Sequence, residues 1–375
     1  MKWADYLIPA VVGAAKYDSL GEAVVMYDGE PDFRFPDETK IVIIGVPEDR
    51  FTEGAGEIKS PGVIRKHLYA LAGGSKGTVV DMGNLKTGKN LADTYYGIRD
   101  LVSEFYRRNI VTLLLGGSFD VFYGNCLAMT EPGSILTTVV PRLRLPARGE
   151  MIHPINSLIF DKSDLAPHIC NIGFQSYYVP HWELDFFSDK QFEAYRLGEV
   201  RNKCIDTSEP VIRDSDLMAI SMEAVRFSDA PAASNPSPNG FSGEEICQLA
   251  YFAGLSHKCK SLGIFDLIPQ NDVQDTTAML AAQIAWYFIE GIKKRDVDNP
   301  KVDAQNFKKY LIFFDELHYD LCFFKNIKTE RWWMKVPSIT NDDDSLIISC
   351  TPEDYLKATE QEIPDRWWKT YQRIN

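Results

Sequence analysis

Residues 110–124 read IVTLLLGGSFDVFYG, in which six strand-forming residues, Ile110 to Leu115, run without a charge into Gly116-Gly117. Such a run, lacking polar–apolar alternation, suits a strand buried on both faces, and the glycine pair ends it. Outward from it the same unit recurs. Ile41–Val46 (IVIIGV) is an apolar run stopped by Pro47, and Ser60-Pro61 then opens a helix with serine as cap and proline in the first turn. Val79–Met82 is a short strand. Ile98, Leu101, Val102 and Phe105 recur at the spacing of one helical face. Further strands are expected at Ile135–Val140, His168–Phe174, Asp216–Val225 and Ser261–Leu267. Ser242-Gly243-Glu244-Glu245 is a capping box at the head of a helix. A long helix is expected from about Val273 to Gly291.

This alternation predicts a three-layer α/β/α fold around a mostly parallel sheet, with ligand chemistry beyond the carboxyl ends of the strands. The chain of 375 residues, 45% hydrophobic, divides into an N-terminal segment (1–38), an α/β domain (39–295) and, past the polar linker KRDVDNPKVD, a C-terminal aromatic-rich extension (296–375). The extension repeats a phrase: Arg331-Trp332-Trp333 and Arg366-Trp367-Trp368. Arginine beside paired tryptophans reads either as an anchor onto the main domain or as a surface for a protein partner or a homo-oligomer. A net charge of −13 argues against nucleic acid and anionic membrane surfaces as partners. No apolar run approaches the roughly 20 residues of a spanning helix, so a cytoplasmic protein is expected. The seven cysteines form no CxxC pair and read as buried reduced thiols. The six histidines are dispersed, with none paired four apart, so no metal is expected outside the strand ends. His153, in MIHPIN, reads as a surface histidine or as a leftover substrate-side residue. No G-x-S-x-G, GxGxxG or phosphate-loop sequence is present.

Four strand ends, taken in order, resemble the arginase/agmatinase/formimidoylglutamase family. They are IGVPED with GAGEIKSPGVIRKHL (44–68), LLLGGSFDVFYG (113–124), VVPRLRL (139–145) and ISMEAVRFSDAPA (220–232). PSPNGFSGEE (236–245) and IFDLIP (264–269) follow where that family has a helix start and a substrate-facing phrase. The tail resembles an extension of some bacterial formimidoylglutamase-like members. The resemblance implies a dinuclear manganese site in which a bridging hydroxide attacks a guanidinium-like or formimino carbon.

Carried onto this chain, the six implied ligand positions fall on Phe119, on Val140, Arg142 and Arg144, and on Glu223 and Val225. Only Glu223 offers a donor suited to manganese. Two positions bring guanidiniums, which stay charged; at ~4 Å and an effective dielectric near 20, each repulsion with a unit of metal charge is on the order of 4 kcal/mol. Asp266 falls where the family contacts substrate. The expectation is therefore a pseudoenzyme with a degenerate site, no cofactor and no catalytic residue, acting as a scaffold or binding partner, with Arg142 or Arg144 pairing to Glu223 or Asp266. Two alternatives are a hydrolase of C–N bonds with an atypical site built from Glu223, Asp120 and Asp266, and a sensor gripping a carboxylate metabolite with its arginines.

Overall fold

The computed structural model describes the chain apart from residues 14–15, 53, 74–75, 130–132, 144–166, 297, 315–318 and 340–344. The apolar runs become the strands β1 (Leu7–Ile8), β2 (Val25–Met26), β3 (Ile41–Gly45), β4 (Val79–Leu85), β5 (Val111–Leu115), β6 (Ile135–Val139), β7 (His168–Phe174), β8 (Glu193–Arg196), β9 (Leu217–Ser221) and β10 (Ser261–Phe265). They form one sheet in the order β1-β4-β3-β5-β10-β9-β6-β7-β8, with β2 also on β4. Every pairing is parallel except β1 with β4. Strands β3, β5, β6, β7, β9 and β10 are buried along their whole length, because helices cover both faces and leave no side of the sheet to water.

Helices α1 (Ser60–Leu68), α2 (Leu91–Arg107), α3 (Gly243–Leu255) and α4 (Thr276–Lys293) supply much of that cover. Ile64, Leu68, Ile246, Leu249, Ala281 and Ile284 pack into one core, and Ile98, Leu101, Val102 and Phe105 into the other. The capping box forms as expected: Ser242 Oγ accepts from the Glu245 N–H, and the Glu245 carboxylate accepts from the Ser242 N–H. Two boundaries move. The strand expected to run to Val225 stops at Ser221, since residues Met222–Ala224 turn off the sheet as a short 3-10 helix. The helix expected from Val273 starts at Thr276, because Gln274 and Asp275 have positive φ (62° and 56°), and the Asp272 carboxylate caps the N–H groups of Thr277 and Ala278.

The N-terminal segment adds β1 and β2 to the edge at β4. The extension is more than an aromatic tail. It folds as an antiparallel sheet in the order β11 (Phe307–Phe314), β12 (Tyr319–Asn326), β13 (Trp332–Val336) and β14 (Leu346–Cys350), backed by helices α5 (Pro352–Thr359) and α6 (Asp365–Ile374). Its own core contains Phe314, Phe323, Trp332, Met334 and Trp367.

Both Arg-Trp-Trp phrases turn inward. Trp332 lies 4.7 Å from the Tyr355 ring, Trp333 stacks under the Arg213 guanidinium at 4.1 Å, and Trp367 donates to the Lys335 carbonyl at 2.9 Å. Arg331 bonds Glu209 (3.2 Å) and Asp298 (3.3 Å). Arg366 bridges Asp214 (2.8 Å) and Glu193 (3.7 Å) of the main domain. An interaction surface built from all six residues is thus corrected: Trp333 and Trp367 are buried, at 4% and 2% exposure, whereas Trp368 is 41% exposed. No helix among the described residues is long and apolar enough to cross a membrane.

Removing one partner of a buried ion pair strands the others. Arg366→Met should therefore lower unfolding stability by on the order of 3–5 kcal/mol, read as a shift in the urea midpoint, while Trp368→Ala should stay within about 0.5 kcal/mol of the parent.

Candidate functional site

Strands β5, β10, β9 and β6 lie side by side, so the residues following each converge at one end of the sheet. After β5 the chain turns through Gly116 and Gly117, both at positive φ (80° and 82°); a Cβ on Gly116 would meet Ser60 Oγ at 2.2 Å. The turn delivers Phe119, whose ring packs against Phe122 and Phe265 with centroids 5.9 Å away in each case. After β10 comes Asp266, itself at φ 65°. Its N–H bonds the Gly117 carbonyl at 3.0 Å, and its Oδ1 accepts the Phe119 N–H at 2.9 Å. Its Oδ2 accepts from Ser221 Oγ at the end of β9. Ser221 Oγ in turn accepts the Glu223 N–H at 3.2 Å, and the Glu223 carboxylate accepts from Asn235 at 2.7 Å. After β6, the Val140 carbonyl accepts from Asn171 at 3.3 Å. Phe119, Val140, Glu223, Val225 and Asp266 are all buried.

Hydrogen bonds thus link Phe119, Asp266 and Glu223 through Ser221, while Val140 follows the neighbouring strand β6. The Arg142 guanidinium lies 3.9 Å over the Tyr178 ring, a cation–π stack. Arg144 and His153 fall outside the described residues.

A second, acidic layer borders the site. Asp120 accepts from Ser118 Oγ and from the Tyr95 hydroxyl, the latter at 2.6 Å. Glu48 accepts from Arg50 Nε and Thr94 Oγ1, each at 2.8 Å. Burial pushes the Asp120 carboxyl up to about 7, with the Asp266 and Glu48 carboxylates adding to the rise and its two hydroxyl donors opposing it. Burial also pushes Glu48 upward, but the Arg50 bonds outweigh it and hold that carboxyl below its ordinary value. The hydrogen-bonding roles of Ser221, Asn235, Asn171 and Tyr95 went unseen in the sequence. The Ser221-x-Glu223 spacing, one turn of an N-terminal cap, was the available signal for the first of them.

A carboxylic acid raised by its fold holds its proton where the unfolded group has already released it. Its stabilising effect is present near pH 4 and is lost as the pH rises to about 7. Thermal denaturation of the parent and of Asp120→Asn from pH 4 to pH 8 should show the variant gaining on the parent toward high pH, by on the order of 2–4 kcal/mol across the range.

The arginase family model matches residues 148–290. A formimidoylglutamase of Staphylococcus haemolyticus is 23% identical over 274 residues, covering 68% of this chain and 86% of that protein. Among solved structures, the formiminoglutamase of Trypanosoma cruzi with manganese superposes with a TM-score of 0.64 at 20% identity, covering 71% of this chain and 97% of that one. The formimidoylglutamase of Bacillus subtilis gives 0.66 at 17% identity, covering 76% and 95%.

Proposed function

We infer that this chain, an arginase/formimidoylglutamase-like protein, is a non-catalytic relative in which packing and hydrogen bonds replace the metal centre that its resemblance implies. The observation that supports this reading most is the burial of Phe119 against Phe122 and Phe265, with its backbone tied to Asp266. An imidazole there would offer a nitrogen to manganese, whereas a benzyl ring offers no donor and fills the space with carbon.

The remaining donors point the same way. Val140 and Val225 bring only hydrocarbon to a site that needs oxygen or imidazole ligands. The carboxylates of Glu223 and Asp266 are engaged by Asn235, Ser221 and the Phe119 N–H. The nearby Arg142 guanidinium is a fixed cation. These residues do not fit a pair of manganese ions, and no hydrolytic step is assigned to them. Through Asp266 and Ser221 they join the ends of β5, β9 and β10. The chain's role then falls to its surface, as a scaffold for another protein or for a second copy of itself.

Manganese titration of the purified full chain, by calorimetry and elemental analysis, should yield no tight binding. The relatives' name points to formimidoylglutamate as the substrate to try, and its turnover should not exceed the background rate with millimolar manganese present. Two tightly held equivalents, or turnover that rises with manganese, would overturn the reading.

A further inference from the structure

At the opposite end of the sheet, where β7 and β8 begin, three side chains of metal-binding type meet. His168 and Cys170 are two apart on β7, so strand alternation places them on the same face. Glu193 opens β8 directly beside Cys170 in the parallel register. The His168 Nε2 atom lies 3.3 Å from Glu193 Oε1, and Cys170 Sγ lies 3.6 Å from that same oxygen. One donor atom from each residue lies within 4.8 Å of the others, and this is the one such group among the described residues. The expectation of no metal outside the old strand ends rested on histidine spacing, which is blind to donors brought together across strands.

The spacing has a physical meaning. Zinc binds nitrogen and carboxylate oxygen at about 2.0–2.1 Å and thiolate sulfur at about 2.3 Å, near tetrahedral angles. Simple trigonometry then separates nitrogen from oxygen by roughly 3.3 Å and sulfur from oxygen by roughly 3.5 Å. The two separations observed here match the edges of that tetrahedron. All three side chains are buried.

We propose that His168, Cys170 and Glu193 form a structural site for one zinc-class divalent ion, bound through imidazole, thiolate and carboxylate. The soft sulfur donor selects zinc or cobalt over manganese, magnesium or calcium. Binding displaces the Cys170 thiol proton to solvent, and the resulting thiolate with the Glu193 carboxylate balances the two charges of the ion. Arg366 keeps its other carboxylate, Asp214, at 2.8 Å, so the ion leaves that cation paired. Two further groups act around the cluster: the Tyr195 hydroxyl bonds the second Glu193 oxygen, and Arg373 adds positive charge. The site is separate from the strand ends considered above and does not depend on whether they are active.

The test uses the full chain purified without chelator. One equivalent of zinc should survive gel filtration. After chelator treatment, cobalt should restore one equivalent with a thiolate-to-cobalt charge-transfer band in the near ultraviolet, which a manganese or all-oxygen site cannot produce. Cys170→Ser should lose the band and the zinc, whereas Cys204→Ser, at an exposed cysteine, should keep both. Absence of zinc and of the cobalt band in folded parent protein would overturn the proposal without any variant. So would a band that persists in Cys170→Ser.

Discussion

The Asp266 carboxylate is the point on which the carboxyl end of the sheet depends. Through its two oxygens and its own backbone it joins the turn after β5, the end of β9 and the segment at Ser234. A buried carboxylate is tolerated only when its lone pairs are occupied. Here the occupants include the Phe119 N–H and the Ser221 hydroxyl. The geometry also requires a left-handed backbone at Asp266, which aspartate accepts more readily than most residues. The glycine pair at 116–117 serves the same junction from the other side. The ends of β5, β9 and β10 are thus joined by hydrogen bonds through Asp266.

That construction bears on how the family resemblance should be used. Fold similarity places the strand ends; the side chains there decide what they can do. Here those side chains include the Phe119 ring, two buried valines and an arginine stacked on Tyr178. The titratable groups that remain, Asp120 and Glu48, lie beside that junction and are shifted in opposite directions by burial and by Arg50. Their environment is set by burial and by neighbouring hydroxyls and guanidinium.

Much of the main domain was legible because parallel strands buried on both faces leave long apolar runs, as in IVIIGV and IVTLLL, and because Ser242 with Glu245 marks a helix start by its own chemistry. Two-residue strands such as Leu7–Ile8 leave no period to read. The strands of the extension are harder to read, because the edge position of FKKYLIFF leaves Leu311 and Phe313 exposed and blurs its alternation. Among the site residues, placement at the strand ends followed from order along the chain. The partner of Arg142 did not, because Tyr178 reaches it from a separate turn. The His168–Cys170–Glu193 cluster was hidden for the same reason, its members being joined by strand register instead of by sequence.

The bridge from Arg366 to Asp214 spans 152 positions of sequence. During synthesis, β8 and the turn at Asp214 leave the ribosome long before the guanidinium that neutralises them. The β8 edge therefore gains the guanidinium that faces Glu193 and Asp214 only once the extension is in place.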